Sequence, residues 1–498
     1  MEIFNAEFFV LTLALVGIVI IIAALLSGLI DKSDLPQVGA FLALGAMLGP
    51  AGLGLLDVTL NSPILRVVAT LSLVLVLFTD AVSVSIAEMR RHGALAFRVL
   101  GPGTLLSAAL TSMAAWKLLG LPFPAAAILG AALASTDPVM LRSLLRRPGL
   151  PESVRLALRL ESGLNDVVLL PIIFVAIPFL GREAFLTATQ WARLGLDLFL
   201  LGPGAGIAVG LLGTSALEMI RRKTGVLRDY ESIYSLGIAF TAYAAAEAVH
   251  GSGFLAAFAA GLTIAALDVE LCDCFLEYGQ TTAEMALLFT FVLFGASLIW
   301  SGFTVLSWPV ALFAVVALLI RPVAFLISLT GTRLDFRSRM LIAWFGPRGL
   351  SSLLLVLVPV FAAVPGAEPL FFICCFFVLL SIAVHGGSLM LLKRDGSRPR
   401  VPATAAANVA DNSATDLPAH SISTTGTNEH ADRMTINEMR AIQESGAPYL
   451  VLDVRADRSL AASDLRAQGA VRVPPDRAIE RLKDLDVPRQ TWLFAFCA

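Results

Sequence analysis

The sequence predicts an all-α polytopic membrane protein with about 13 transmembrane helices and a small α/β fragment at its C-terminus. Two observations support this fold class. Of the 498 residues, 57 % are hydrophobic and only 15 % are charged, whereas soluble proteins carry about 25 % charged residues. Apolar runs of about 20 residues, enough to cross a hydrocarbon core of about 30 Å, recur between Phe8 and Leu392. The net charge of −2 provides no bulk basic surface for nucleic acid.

Each run is expected to be a helix, because backbone groups in lipid must hydrogen-bond within their own segment. Membrane-spanning strands would need short segments of alternating apolar and polar residues, which the sequence lacks. The expected spans are residues 8–30, 36–55, 63–83, 95–119, 122–146, 153–180, 194–220, 230–249, 252–267, 283–300, 306–329, 337–361 and 369–392. The eighth and ninth spans nearly join at VHGSG, which leaves a count of twelve open.

Lys and Arg are concentrated in the loops that follow odd-numbered spans. These loops contain MRRHGALAFR, RRKTGVLR and TRLDFRSR, and LLKRDGSRPR follows the last span. Cytoplasmic loops carry an excess of Lys and Arg, so the N-terminus is expected outside and the C-terminus in the cytoplasm. The acidic loop after the ninth span, LDVELCDCFLEYGQ, does not follow this rule.

Composition divides the chain into three expected parts. Residues 1–392 form the transmembrane domain. Residues 393–433, rich in Ala, Ser, Thr, Asn and Pro, are expected to be a disordered linker. Residues 434–498 have a soluble pattern, in which TINEMRAIQESG is predicted to be a helix, and YLVLDVR and TWLFAFC are predicted to be strands.

Ionisable residues lie inside the expected spans at Asp80, Asp137, Glu161, Asp166, Glu247, His250, Arg321 and Arg348. An Asp or Arg at the centre of a membrane helix costs at least about 2.5 kcal/mol, so the set predicts an ion or proton pathway. The alternative is a set of buried ion pairs that join helices. Asp80, at the end of the third span, is interpreted as a helix-end or entrance residue.

Two spans are expected to be interrupted. Pro138 lacks an amide donor and clashes with the preceding turn, so the fifth span should open at Asp137 and free carbonyls such as that of Thr136. The twelfth span carries Gly346, Pro347 and Gly349 around Arg348. These two spans are seven apart, the matched positions expected of two inverted six-helix repeats whose interrupted helices cross at the binding site. A carboxylate beside freed carbonyls suits a small hard cation.

The sixth span carries two carboxyl groups that should face different neighbours. Glu161 and Asp166 are five residues apart, which is about 140° around a helix. One of them is expected to be neutralised by a fixed partner while the other titrates, and Asn165 can hydrogen-bond the opened helix without adding charge. Arg321, in the eleventh span, stays protonated and needs an ionised partner.

Several motifs occur in the order found in a known superfamily. They are STDPV at 135–139, ESGLNDVV at 161–168, HGSGFLAAFAAGL at 250–262, IRPVAFL at 320–326 and GPRGLSS at 346–352. Over about residues 10–392 the chain resembles the monovalent cation/proton antiporter superfamily, in particular the NhaP-type sodium/proton exchangers. The chain departs from the usual pattern at Gly163, where Leu is more common.

The resemblance implies a role for each site residue. Asp166 would bind either a cation or a proton, and Na⁺ would lie at Asp166 and Asp137. The implied cation- and proton-binding residues are Asp166, Asp137, Thr136 through its carbonyl, Ser162 and Asn165. Glu161 would pair with Arg321 and hold the sixth span in place, while Arg348 would offset helix-end dipoles at the crossing.

The same resemblance implies a function and a setting. The chain would be an antiporter, not an enzyme, that exchanges Na⁺ or Li⁺ for H⁺ in pH homeostasis, with no cofactor, and K⁺/H⁺ exchange is the alternative. Asn-Asp, in place of the Asp-Asp of electrogenic relatives, suggests one proton per cation, a hypothesis that membrane currents during exchange would contradict. A homodimer in the lipid bilayer of a bacterial inner membrane is also implied.

The C-terminal part resembles an incomplete rhodanese-like domain through VLDVRADRSL, AQGAVRVPP and Cys497. Cys497 falls where the thiolate of that family would lie. A low thiol pKa there needs a following loop of backbone amides, and the sequence continues for one residue only. A function of another class, a membrane-anchored sulfurtransferase or redox sensor, would need neither Asp137-Pro138 nor Asn165-Asp166.

Overall fold

The computed structural model describes residues 37–145, 150–180, 187–223, 228–267, 273–396, 448–454, 469–473 and 491–496, together with the single positions 17, 21, 25 and 439. The chain divides into two compact units, Met1–Arg400 and Val401–Ala498. Within the described ranges, seven helices are long and apolar enough to cross a membrane, and four shorter apolar helices accompany them. The predicted all-α polytopic class is confirmed, while the count of 13 spans stays a prediction.

Helices are the regular structure of the described part of the first unit. Its first helices are α1 Gln37–Leu48, α2 Pro63–Val82, α3 Ile86–Arg91, α4 Gly93–Arg98, α5 Thr104–Leu119, α6 Phe123–Ala134, α7 Pro138–Leu145, α8 Glu152–Leu180 and α9 Ala188–Leu196. They are followed by α10 Gly202–Lys223, α11 Arg228–Ala248, α12 Gly253–Ala266, α13 Asp273–Ala296, α14 Trp308–Ser328, α15 Phe336–Trp344, α16 Leu350–Phe361 and α17 Ala367–Gly396. Single π-helical turns join α4 to α5 and α9 to α10.

Polar side chains at helix N-termini explain where several helices begin. The hydroxyl of Ser85 accepts the amide of Glu88 at the start of α3, and Thr187 forms a capping box with Gln190 at the start of α9. Each cap satisfies a backbone donor that has no partner inside the helix.

The tenth span begins earlier than the sequence predicts. It was expected at 283–300, after an acidic loop, but α13 runs from Asp273 to Ala296. Helix α13 contains no proline. Gly279, near its start, is buried close to α2, where an added Cβ would lie 3.7 Å from Thr79 Cγ2. The helix therefore includes residues 273–280 of the stretch interpreted as a loop. The expected first span, 8–30, lies outside the described residues except at positions 17, 21 and 25.

Both interruptions expected from the sequence are present. The fifth span is broken between α6 and α7, with Pro138 as the first residue of α7. Proline is well suited to a first helical position, where no amide donor is needed. The twelfth span is broken between α15 and α16, over residues 345–349.

The helices of this unit pack as two bundles. One contains both interrupted spans, and we call it the broken-helix bundle; its members are α5, α6, α7, α8, α14, α15, α16 and α17. The flanking bundle contains α1, α2, α10, α11, α12 and α13. Helix α2 belongs to the flanking bundle but also touches α8 and α16, so it lies along the boundary between the two bundles.

The second unit contains a parallel three-stranded sheet with strand order β2-β1-β3. Its strands are β1 Tyr449–Asp453, β2 Val471–Arg472 and β3 Trp492–Phe496. Strands β1 and β3 fall on the two segments predicted as strands. The rhodanese-like resemblance and the domain boundaries stay predictions, and Cys497 lies outside the described residues.

Candidate functional site

The two unwound segments meet directly. The backbone amide of Asp137 donates a hydrogen bond to the carbonyl of Pro347, with an N···O distance of 2.9 Å. Thr136 and Asp137 are 0 % and 1 % exposed. Buried backbone groups outside helices need partners, and here one broken segment supplies a partner to the other.

The carboxylate of Asp137 caps two helices at once. One oxygen, Oδ1, accepts the amide of Val139 at 2.8 Å, at the start of α7. The other, Oδ2, accepts the amide of Leu350 at 2.7 Å, at the start of α16. Each helix N-terminus carries about half a positive elementary charge, so these two helix ends compensate the charge of Asp137. Each oxygen keeps a further lone pair that can accept another contact.

Gly349 allows Asp137 to come this close to α16. An added Cβ at Gly349 would lie 2.0 Å from Oδ2 of Asp137. We expect Gly349→Ala to push the carboxylate off the start of α16 and to lower the free energy of unfolding by about 1–3 kcal/mol. Denaturant titration followed by circular dichroism measures the change. The matched control is Gly387→Ala in α17, where an added Cβ meets nothing within 4 Å. Equal stability of the two variants would contradict the assigned contact.

Arg348 lies at the opposite kind of helix end. Its Nη1 donates to the carbonyl of Ala134, the last residue of α6, and to the hydroxyl of Thr136, both at 2.6 Å. Helix C-termini carry a partial negative charge, so the guanidinium offsets it. The backbone amide of Arg348 donates to the hydroxyl of Ser381 in α17 at 2.8 Å, which fixes the segment between α15 and α16.

Glu161 and Arg321 form a buried ion pair. Nη2 of Arg321 is 2.5 Å from Oε2 of Glu161, and the two side chains are 4 % and 1 % exposed. Arg321 also donates to the carbonyl of Ile342 at 2.9 Å, near the end of α15. Oε1 of Glu161 accepts the hydroxyl of Thr136 at 2.8 Å. The pair therefore ties α8 and α14 to Thr136 in the first unwound segment and to the end of α15, just before the second.

The hydrogen-bond partner of Asp166 is weaker than the partners of Asp137 and Glu161. It is 4 % exposed, and Oδ1 accepts a hydrogen bond from the hydroxyl of Ser135 at 2.5 Å. Within the described part of the chain, no ion pair joins Asp166 to a basic residue. Glu161 and Asp166 thus have different partners, as their separation of about 140° around the helix predicts.

The three buried carboxylates are therefore compensated unequally. Asp137 faces two helix N-termini, Glu161 faces a guanidinium, and Asp166 faces a neutral hydroxyl. A buried charge is stable only when it is paired or hydrogen-bonded well. Asp166 is consequently the least compensated of the three carboxylates.

Asn165 and Ser162 lie on α8 close to Asp166 in the sequence, and each carries an oxygen that can accept a contact. Asn165 was expected to hydrogen-bond the opened helix, but both polar atoms of its buried amide lack a hydrogen-bond partner. The polar side chains of the opened segment bond elsewhere, because Ser135 donates to Asp166 and Thr136 to Glu161. The hydroxyl of Ser162 donates to the carbonyl of Arg159 at 3.3 Å, which leaves its oxygen lone pairs free to accept.

Two residues near the site were not assigned there from the sequence. Ser135 bonds Asp166, and its position directly before Thr136 in the broken segment was the available signal. Asp80 is partly exposed and lies within electrostatic range of Asp166. An added Cβ at Gly163 would lie 3.8 Å from Cβ of Asp80. Asp80 lies near the end of α2, as the sequence indicates. The structure shows in addition that this end of α2 faces α8.

The described residues contain no cluster of three His, Cys, Asp or Glu side chains able to hold a metal ion. The polar side chains of α8 and of the opened segment near Asp166 carry carboxylate, amide and hydroxyl oxygens. These are the ligands preferred by hard cations.

Comparisons with known proteins identify the family of the chain. The family model "Sodium/hydrogen exchanger, transmembrane" matches residues 17–393. The "K(+)/H(+) antiporter NhaP" of Alkalimonas amylolytica is 26 % identical over 388 residues, which cover 77 % of this chain and 66 % of that protein. The "Na(+)/H(+) antiporter NhaG" of Bacillus atrophaeus is 26 % identical over 403 residues, which cover 76 % of this chain and 74 % of that protein.

The structure of the sodium proton antiporter MjNhaP1 from Methanocaldococcus jannaschii shares the fold. It matches with a TM-score of 0.63 at 21 % identity and covers 78 % of this chain and 100 % of that chain. The match of the family model covers most of the chain, and it confirms the resemblance inferred from the motifs. The chain belongs to the sodium/hydrogen exchanger family, a family of membrane transporters and not of enzymes.

Proposed function

We propose that the chain is a secondary antiporter that exchanges Na⁺ or Li⁺ for H⁺ by competition at Asp166. The observation that carries the proposal is the unequal compensation of the three buried carboxylates, which leaves Asp166 with a neutral partner. When deprotonated, Asp166 attracts a cation, and when protonated it does not. Since a single acid cannot hold both, cation and proton flow in opposite directions.

The proposed cation shell uses oxygens around Asp166. The carboxylate supplies the charge, Asn165 and Ser162 supply neutral oxygens, and Asp137 and the carbonyl of Thr136 complete the shell from the unwound segment. The state of Asn165 supports this assignment, because its buried amide has no hydrogen-bond partner among the residues that the structure describes. Glu161 and Arg348 already bond to fixed partners, so we assign them to holding the crossing together.

Movement between the bundles would give access from alternate sides. The site lies within the broken-helix bundle, which touches the flanking bundle through α1, α2, α12 and α13, with α2 making the most contact. We assign the α2 end that carries Asp80 to the cytoplasmic side, following the distribution of Lys and Arg in the loops. The flanking bundle would form a homodimer in a bacterial inner membrane.

Sulfur transfer is the less favoured function. A protein that only anchors a sulfurtransferase in the membrane has no need for two interrupted helices around buried carboxylates.

K⁺ is the alternative cation, because the relative from Alkalimonas amylolytica is named a K⁺/H⁺ antiporter. K⁺ differs from Na⁺ in size and ligand distance, which the residue types do not report. In everted vesicles that carry a pH gradient, we expect added Na⁺ and Li⁺ to release protons at lower concentration than K⁺. A lower half-effective concentration for K⁺ would establish K⁺/H⁺ exchange, and no response to any of the three cations would refute antiport.

A further inference from the structure

A cavity lies between the two bundles, at the opposite end of α2 from Asp80. Its volume is about 260 Å³, and it is lined by α2, α11 and α12 of the flanking bundle and by α16 of the broken-helix bundle. Its lining becomes less exposed along the helices. Arg66 and Glu247 are exposed, whereas Leu73 and Leu354 are each 2 % exposed. The cavity therefore opens near Arg66 and ends at the two leucines.

The closed end of the cavity lies one helical turn from the candidate site. Leu354 is four residues after Leu350 in α16, and the amide of Leu350 donates to Asp137. Four residues of α-helix span about 6 Å. A small separation of the bundles at Leu73 and Leu354 would thus connect the cavity with the unwound segments.

Arg66 bridges the two bundles at the mouth of this cavity. Its Nη2 donates to the carbonyl of Phe361, the last residue of α16. The last carbonyls of a helix lack partners within the helix and attract a cation. The guanidinium also lies 5.5 Å from the centre of the Phe361 ring. Arg66 belongs to α2 of the flanking bundle, so these contacts join it to the bundle that carries the site.

We propose that this cavity is the external vestibule of the cation pathway, and that Arg66 is the residue that holds its inner end closed by joining α2 to the end of α16. The proposal rests on the proposed antiport function and on the assignment of the Asp80 end to the cytoplasm. In the outward-facing state the bond from Arg66 to Phe361 is broken, Leu73 and Leu354 separate, and the vestibule reaches Asp166. Arg66 acts through the position of α16, so it is a positioning residue and does not bind the cation.

The test follows the opening of the vestibule with a cysteine. Ala69→Cys places a thiol on the vestibule wall at a position that is 2 % exposed, and the parent chain gives the background. A membrane-impermeant thiol reagent is added to right-side-out vesicles. We expect Arg66→Gln to speed labelling of the thiol about tenfold, which corresponds to a shift of about 1.4 kcal/mol in the open/closed equilibrium.

The half-saturating cation concentration, measured separately from each side of the membrane, is a second readout. It would not change if Arg66 had a purely structural role. The apparent affinity of a state scales with its population. Arg66→Gln should therefore lower the half-saturating external cation concentration severalfold and leave the internal value nearly unchanged. Arg193→Gln is the matched control, because Arg193 is an exposed arginine paired with Asp197 within its own turn of helix. The control should change neither readout.

Two outcomes would overturn the proposal. In the first, the parent chain exchanges cations normally, but Arg66→Gln and Arg193→Gln have the same rate of thiol labelling and the same half-saturating external cation concentration. The other is faster labelling from the cytoplasmic side. If Arg66→Gln is not recovered folded, Arg66→Lys, which keeps the charge but not the planar guanidinium, takes its place with a smaller expected increase, and unchanged labelling then overturns the proposal. Absence of exchange in the parent chain would instead refute antiport itself.

Discussion

Asp166→Asn is expected to abolish cation/proton exchange and to leave the protein folded. The asparagine side chain keeps the shape and the acceptor oxygen that Ser135 needs, but it can neither bind nor release a proton. Proton flux can then no longer be coupled to cation flux. Proteoliposomes with an imposed pH gradient, loaded with a pH-sensitive dye, measure the loss as a response to Na⁺, Li⁺ or K⁺ no larger than that of empty vesicles.

The control for this substitution is Asp197→Asn. Asp197 lies in the first compact unit but outside the site, next to Arg193. Its replacement should therefore leave the rate of exchange equal to that of the parent chain. Both variants should elute as a single species of the parental size. Exchange retained by folded Asp166→Asn protein would show that another group couples the two fluxes.

Breaking the buried ion pair is expected to have the largest effect on stability. Removing one partner of a buried pair leaves an uncompensated charge, and Arg321→Ala should therefore lower the free energy of unfolding by about 3–5 kcal/mol. The loss arises at Glu161, which would keep only the hydroxyl of Thr136 as a partner among its described contacts. Unfolding in mixed detergent followed by circular dichroism measures the change.

A double-mutant cycle separates this ion pair from general packing. Glu161→Gln with Arg321→Ala should be less destabilised than the sum of the two single variants, because no unpaired charge remains. Strict additivity would mean that the two side chains do not interact in the folded protein, and the geometry assigned to α8 and α14 would be wrong.

The sequence predicted the elements whose causes are local. Pro138 has no amide donor, and Gly346, Pro347 and Gly349 break a helix wherever it packs, so the residues themselves predict both interruptions. The separation of Glu161 and Asp166 around one helix likewise gave them different neighbours. The family motifs, together with these local signals, also indicated the antiporter class that the family model supports.

The remaining features depend on how distant segments meet. The double cap by Asp137 requires the start of α16 to lie within 2.7 Å of its carboxylate, and nothing in STDPV encodes that approach. Ser135 became the partner of Asp166, and the amide of Asn165 was left without one, for the same reason. The early start of α13 was missed because the acidic stretch at residues 267–280 was interpreted as a loop, whereas residues 273–280 are helical and Gly279 packs close to α2.

The central claim is that a cation and a proton compete for the carboxylate of Asp166. Titration calorimetry of the purified protein with Na⁺ or K⁺, repeated in buffers of different ionisation enthalpy, measures the protons released when the cation binds, because a carboxylate ligand must lose its proton to bind a metal ion. The account predicts release that rises toward about one proton per cation as the pH falls, and no release from Asp166→Asn. Cation binding without proton release at any pH, or undiminished release from the variant, would contradict it.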